Sequence, residues 1–215
     1  MKHLMIATMT SASLIFASSL AFATASNKPL YFGIKGDIAY PSDSNVKGAA
    51  TGKVKYGFSS GVDFQIGWVP QSLKDNTSDV RAELEVGYHA FGLDSVLANP
   101  DPSGDMKVTT FMANLYYDFG TQNNWTPYIG VGVGNAHVKF GTNQGLGNTD
   151  STDNTFAWQG MLGLTYATRD NPDARWLIGY RYLSLNQPSF STGTDNVKLS
   201  RVHEHALELG LQYSF

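Results

Sequence analysis

The sequence has no cysteine. That absence excludes thiol catalysis, thiolate metal sites and disulfide staples. It also leaves no residue to be acylated behind an export signal, so a lipoprotein is excluded. Long apolar runs are missing after residue 26. No later segment offers the ~20 consecutive apolar residues of a membrane-crossing helix. Charge is sparse and balanced, with 15 Lys and Arg against 18 Asp and Glu, a net −3. Without a basic excess there is no footprint for nucleic acid. Helical periodicity competes nowhere in the chain.

What is present begins with an export signal. Lys2 and His3 precede an apolar run from Leu4 to Phe22, and Ala21, Ala23 and Ala25 follow. A basic start, an apolar middle and an Ala-x-Ala ending define a secretory signal peptide. Thr8, Thr10, Ser11 and Ser13 dilute the run as a spanning helix. Cleavage is expected after Ala25, with Ala23 as the alternative. Removal of residues 1–25 takes away Lys2 alone and leaves 14 basic against 18 acidic residues, a net −4.

Beyond residue 26 the chain alternates in polarity, with segments split by Gly, Asn, Asp, Ser and Pro clusters. Eight such segments are predicted, over 30–40, 54–68, 80–91, 106–119, 127–140, 155–168, 175–185 and 200–215. Each is near the ~9–11 residues that cross a bilayer at a tilt. The last is the clearest. Leu207, Leu209, Leu211, Tyr213 and Phe215 share one face, and Glu208, Gly210, Gln212 and Ser214 share the other. Connections at 42–53, 93–105, 141–154 and 186–199 are long and polar, those at 120–126 and 169–174 are short, and 69–79 is intermediate. Long loops outside and short turns in the periplasm are the habit of outer-membrane barrels.

Alternation does not by itself say which face is inside, because a soluble ligand-carrying barrel alternates too. Three features point the polar face inward. It is rich in glycine, including Gly67, Gly87, Gly130, Gly132, Gly163 and Gly179, which relieves crowding in a narrow barrel. It carries both charge signs on nearly every strand, and buried charges must be paired. Aromatics gather at segment ends on the apolar face, among them Trp68, Tyr88, Tyr117, Trp176 and Phe215, as in the girdles at membrane interfaces. The expected fold is all-β, an eight-stranded antiparallel up-and-down transmembrane β-barrel over residues 26–215. Its predicted lumen charge network is Lys35, Asp37, Lys55, Asp63, Arg81, Glu83, Glu85, Asp118, Arg181 and Glu208, with Arg181 and Glu208 meeting across the last two strands.

The stretches Ala113-Asn-Leu-Tyr-Tyr-Asp-Phe119, Pro127-Tyr-Ile-Gly-Val-Gly-Val-Gly134, Ile178-Gly-Tyr-Arg-Tyr182 and Leu207–Phe215 make the chain similar to a known group. It resembles the small eight-stranded outer-membrane barrels, namely the OmpA-type transmembrane domain and the opacity-protein and bacterial surface-antigen family. The resemblance implies an outer-membrane location. It also implies that Leu209, Leu211, Tyr213 and Phe215 form the signal read by the barrel-assembly machinery. The periplasmic peptidoglycan-binding domain of full-length OmpA has no counterpart in the sequence.

Few clusters carry chemistry. His203-Glu204-His205 puts two imidazoles on the apolar face, with Ser184 on the neighbouring strand as a candidate nucleophile for lipid A chemistry. Interfacial histidines at the membrane rim are the plainer explanation. Asp150, Asp153 and Asn154 lack calcium-loop spacing, and Gly130-x-Gly-x-Gly134 lacks the spacing and following helix of a phosphate loop. Glu83 and Glu85 share a face with Arg81, which suits structural pairing. The expectation is therefore a non-enzymatic, monomeric surface protein, adhesin-like through four extracellular loops, with no catalytic residue, metal or cofactor. Its partners would be outer-membrane lipid, the assembly machinery and host or cell-surface ligands. A narrow porin-like channel or conduit for small or apolar compounds is the alternative, and a lipid A-modifying enzyme the third.

Overall fold

The computed structural model describes residues 28–48, 52–70, 78–96, 104–120, 124–142, 149–167, 170–187, 189–192 and 195–215. The expected signal peptide, residues 1–25, lies outside the described residues. The elements are β1 (Leu30–Pro41), β2 (Ser44–Gly48), β3 (Gly52–Trp68), β4 (Ser78–Val96), β5 (Gly104–Phe119), β6 (Trp125–Thr142), β7 (Thr149–Ala167), β8 (Ala174–Leu185), β9 (Ser189–Thr192), β10 (Asp195–Leu199) and β11 (Val202–Ser214).

Eight of them, β1, β3 to β8 and β11, form a closed antiparallel barrel in chain order. β1 seals it, with Ile34 opposite Phe64 of β3 on one side and Leu211 of β11 on the other. Closure pairs every strand edge, which is what hydrocarbon demands of a spanning sheet. The burial alternation is inverted relative to a soluble protein. Leu84, Val131, Leu207 and Leu209 are more than 60% exposed, while Lys35, Asp63, Arg81 and Arg181 are at most 2% exposed. Apolar side chains face lipid and charges face the lumen, as the alternation predicts.

Glycine makes the narrow interior possible at specific points. A Cβ on Gly67 would overlap the Tyr31 ring, and the Gly163–Gly179 cross-strand pair leaves the space taken by the Tyr128 hydroxyl. At the turn into β6, Asn124 adopts φ 70°, a left-handed conformation that asparagine tolerates better than most residues. Its carbonyl accepts the Ala167 N–H.

Three features differ from the sequence expectation. First, several strands are longer than a crossing requires, with β4 and β7 at 19 residues each. The extra length lies at the end with the long connections. There the alternation keeps its phase but reverses its chemistry. Met106, Val108, Ala136 and Val138 are buried inside, while Lys107, Asn135, Lys139 and Asn154 face out. With Tyr56, Phe91, Met112, Ala157, Leu183, Leu185 and Val202 they form an apolar core within the barrel. Beyond the apolar belt the strands therefore carry a polar outer face around an apolar interior. The expected polar lumen thus gives way to an apolar interior toward the end with the long connections.

Second, the connections 42–53 and 186–199 are not simple loops. They hold β2, β9 and β10, which extend the sheet in the order β3-β2-β10-β9. Val46 pairs with Leu199 and Val197 with Phe190. Third, the β3–β4 register slips between Lys55 and Tyr56 and again between Tyr56 and Ser59. The second slip places one extra residue in β3, and a single extra residue exchanges the two faces of a strand. Tyr56 therefore points inward and Lys55 outward, so the expected lumen position of Lys55 is corrected by the backbone irregularity.

Candidate functional site

The barrel interior is the densest assembly of polar groups among the described residues, and it is organised in levels. Nearest the chain termini, Arg81 of β4 grips Asp118 of β5 with two bonds, Nε at 2.6 Å and a terminal nitrogen at 3.0 Å. The planar fork matches the carboxylate and makes this a strong pair. Its other terminal nitrogen donates to the Tyr31 hydroxyl (2.8 Å), which donates to Glu83 (2.8 Å). The guanidinium lies over the Tyr116 ring, 4.5 Å from its centroid.

At mid-depth Lys35 of β1 donates to Glu85 of β4 (2.6 Å) and sits 3.4 Å from Glu208 of β11. Gln159 of β7 ties Glu85 (3.0 Å) to the Asn114 side-chain oxygen (2.8 Å), and the Asn114 amide reaches Glu83 and Glu85, both at 3.3 Å. Toward the outer end, Arg181 of β8 serves four carboxylates. These are Asp63 at 2.9 Å, Asp37 at 3.1 Å, and Glu204 and Glu208 at 3.4 Å. His89 of β4 faces Asp37 with Nδ1 (3.4 Å) and Asp63 with Nε2 (3.2 Å).

Asp37, Asp63 and His89 lie close enough to ligate a metal by composition alone. Arg181 contacts both carboxylates directly, so the positive charge that a metal would supply is already present there. The apolar core lies above this level.

Nine of the ten expected network residues converge here, and Lys55 stands outside. His89, Asn114, Gln159, Tyr31 and Tyr116 complete the network without having been singled out, and Glu204, noted only between its two histidines, joins them. Their inward parity was visible, but side-chain reach across the lumen was not. Leu209, Leu211 and Tyr213 lie on the lipid face of β11 and Phe215 follows just beyond its end, and Phe32 packs on Tyr213 (5.9 Å) and Phe215 (6.0 Å).

His203 and His205 lie on the outward-facing side of β11. Nδ1 of His205 is 2.5 Å from the Tyr180 hydroxyl, and Nδ1 of His203 is 2.7 Å from the Tyr182 hydroxyl. Ser184 is buried opposite His203 in the β8–β11 register. Among the described residues each imidazole is bonded to a tyrosine hydroxyl, and the candidate nucleophile Ser184 is not its hydrogen-bond partner.

Comparison with known proteins agrees with this geometry. The outer membrane protein PagN of Salmonella typhimurium is 36% identical over 129 residues, covering 52% of this chain and 52% of that protein. The chain thus spans about half the length of that relative. OprG of Pseudomonas aeruginosa superimposes with a TM-score of 0.57 at 19% identity, covering 87% of this chain and 97% of that one. Neisserial surface protein A gives 0.51 at 21% identity, covering 86% and 97%. These likenesses concern the fold. The family of the outer membrane protein beta-barrel domain matches residues 9–215, and the chain belongs to it as a β-barrel of the outer membrane.

Proposed function

We propose that this protein is a non-enzymatic surface protein in which a plugged barrel holds an extracellular extension that binds host or cell-surface ligands. The filled interior carries this reading. Charged residues occupy the lumen at membrane depth, and above them Phe91, Met106, Val108, Leu183 and Leu185 are at most 1% exposed. A small barrel filled by side chains is a scaffold, not a pore. The material outside the membrane is structured by strand pairing between β2, β10 and β9, and binding surfaces concentrate on loops held by rigid scaffolds.

The test uses bacteria displaying the full chain. Adhesion to cultured epithelial cells is expected, and it should be lost when residues 187–199 are deleted while the barrel still folds. Unchanged adhesion after that deletion argues against the binding role of β9 and β10. Refolded protein in planar bilayers is expected to show no discrete conductance steps. Reproducible steps altered by Glu85→Gln would favour the channel alternative. An altered lipid A mass spectrum lost with His205→Ala would favour the enzyme.

A further inference from the structure

The outward row along β11 and the residue flanking it at each end changes character at one point. From the chain end it reads Phe215, Tyr213, Leu211, Leu209, Leu207, then His205, His203 and Arg201. Eight residues separate Tyr213 from His205, roughly 20 Å of bilayer depth at the rise of a tilted strand. At the level of His205 the register places Tyr40 of β1 on one side and Tyr182 of β8 on the other. This is the outer aromatic girdle. The row therefore passes from acyl-facing leucines to imidazole and guanidinium where lipid headgroups begin.

We propose that Arg201, His203 and His205 form a binding site for a phosphate group of the outer-leaflet glycolipid, lipid A. Donors are aligned outward at i, i+2 and i+4 of an extended segment, with Val202, Glu204 and Ala206 turned inside. The tyrosine hydroxyls fix the imidazoles. In the tautomer in which each hydroxyl donates to Nδ1, Nε2 keeps its proton and is free to serve as an N–H donor. Two such N–H groups and a guanidinium suit phosphate oxygens. The Glu204 and Glu208 carboxylates on β11 point into the lumen, so no acid of this strand opposes an anion. The exposed carboxylate nearest in the β1 register is Asp43, beyond Ser42, whose N–H bonds the His203 carbonyl. A lipid is favoured over a soluble anion because Leu207 and Leu209 continue the same row into the bilayer and provide the surface along which the acyl chains lie.

The full mature chain is reconstituted in phosphatidylcholine nanodiscs with bisphosphorylated lipid A, or with the same lipid stripped of its phosphates. Native mass spectrometry counts retained lipid, and imidazole NMR signals of His203 and His205 report contact. Lipid A should be retained on the order of tenfold better than the stripped lipid, and should shift both histidine signals. Arg201→Gln with His203→Asn and His205→Asn should abolish the preference, Arg201→Lys should keep much of it, and Asp43→Asn should strengthen it. Equal retention of the two lipids by the parent protein overturns the proposal, even if the triple variant does not fold. Equal retention of lipid A by a folded triple variant overturns it as well. Inorganic phosphate producing the same histidine shifts without lipid A would assign the site to soluble anions and reject the lipid.

Discussion

Replacing Arg181 by methionine keeps a side chain of similar length and removes the charge that four buried carboxylates share. Asp37, Asp63, Glu204 and Glu208 all lie within 3.4 Å of its terminal nitrogens. After substitution Glu208 retains Lys35, and Asp37 and Asp63 retain His89. Removing one partner from a buried ion pair costs about 3–5 kcal/mol, because the orphaned charge stays desolvated. A loss of about that size is expected in Arg181→Met, with part of it recovered in Arg181→Met/Asp63→Asn. Denaturant unfolding of refolded protein in lipid bilayers measures it, using the fluorescence of Trp68, Trp125, Trp158 and Trp176, all on the lipid face. A loss below about 1 kcal/mol would refute the reasoning. It would mean that water screens the lumen and that the interior is not closed around these charges.

Gly179→Leu drives a side chain into the space of the Tyr128 hydroxyl and should destabilise by about 1–3 kcal/mol, with partial rescue by Tyr128→Ala in the same unfolding assay. Lys55→Gln should shift stability by no more than about 0.5 kcal/mol, while Lys35→Met should lose about 3 kcal/mol or more, since only the second lies in the lumen. Phe215→Ala should slow insertion by purified assembly machinery in proteoliposomes yet fold normally into detergent. Equal slowing in both would reduce Phe215 to an ordinary lipid-facing residue.

The sequence carried the barrel because its strands obey one simple rule, a period of two with a fixed apolar side. That rule identified Lys35, Asp63, Arg81 and Arg181 as interior groups. It failed at Lys55, where bulges in the β3–β4 ladder exchange the faces without leaving a mark in composition. It also said nothing about solvent. Met106 and Val108 inside, with Lys107 outside, follow the same alternation as Asn114 and Leu115, with the environments reversed. The pairing of β2 with β10 joins segments about 150 residues apart, and short polar stretches give no local sign of it. The tyrosine partners of His203 and His205 lie diagonally across a ladder, so they became visible only once the β8–β11 register was known.

The reversal along β5 to β7 also works as a depth gauge. Phe111, Val133 and Phe156 suit hydrocarbon, while Lys107, Asn135 and Asn154, two to four residues further along, do not. A thicker bilayer would draw those groups into acyl chains, and a thinner one would strand the aromatic rings in water. Hydrophobic mismatch therefore fixes how far the barrel sinks, and with it how far the β2–β10–β9 sheet stands clear of the bilayer.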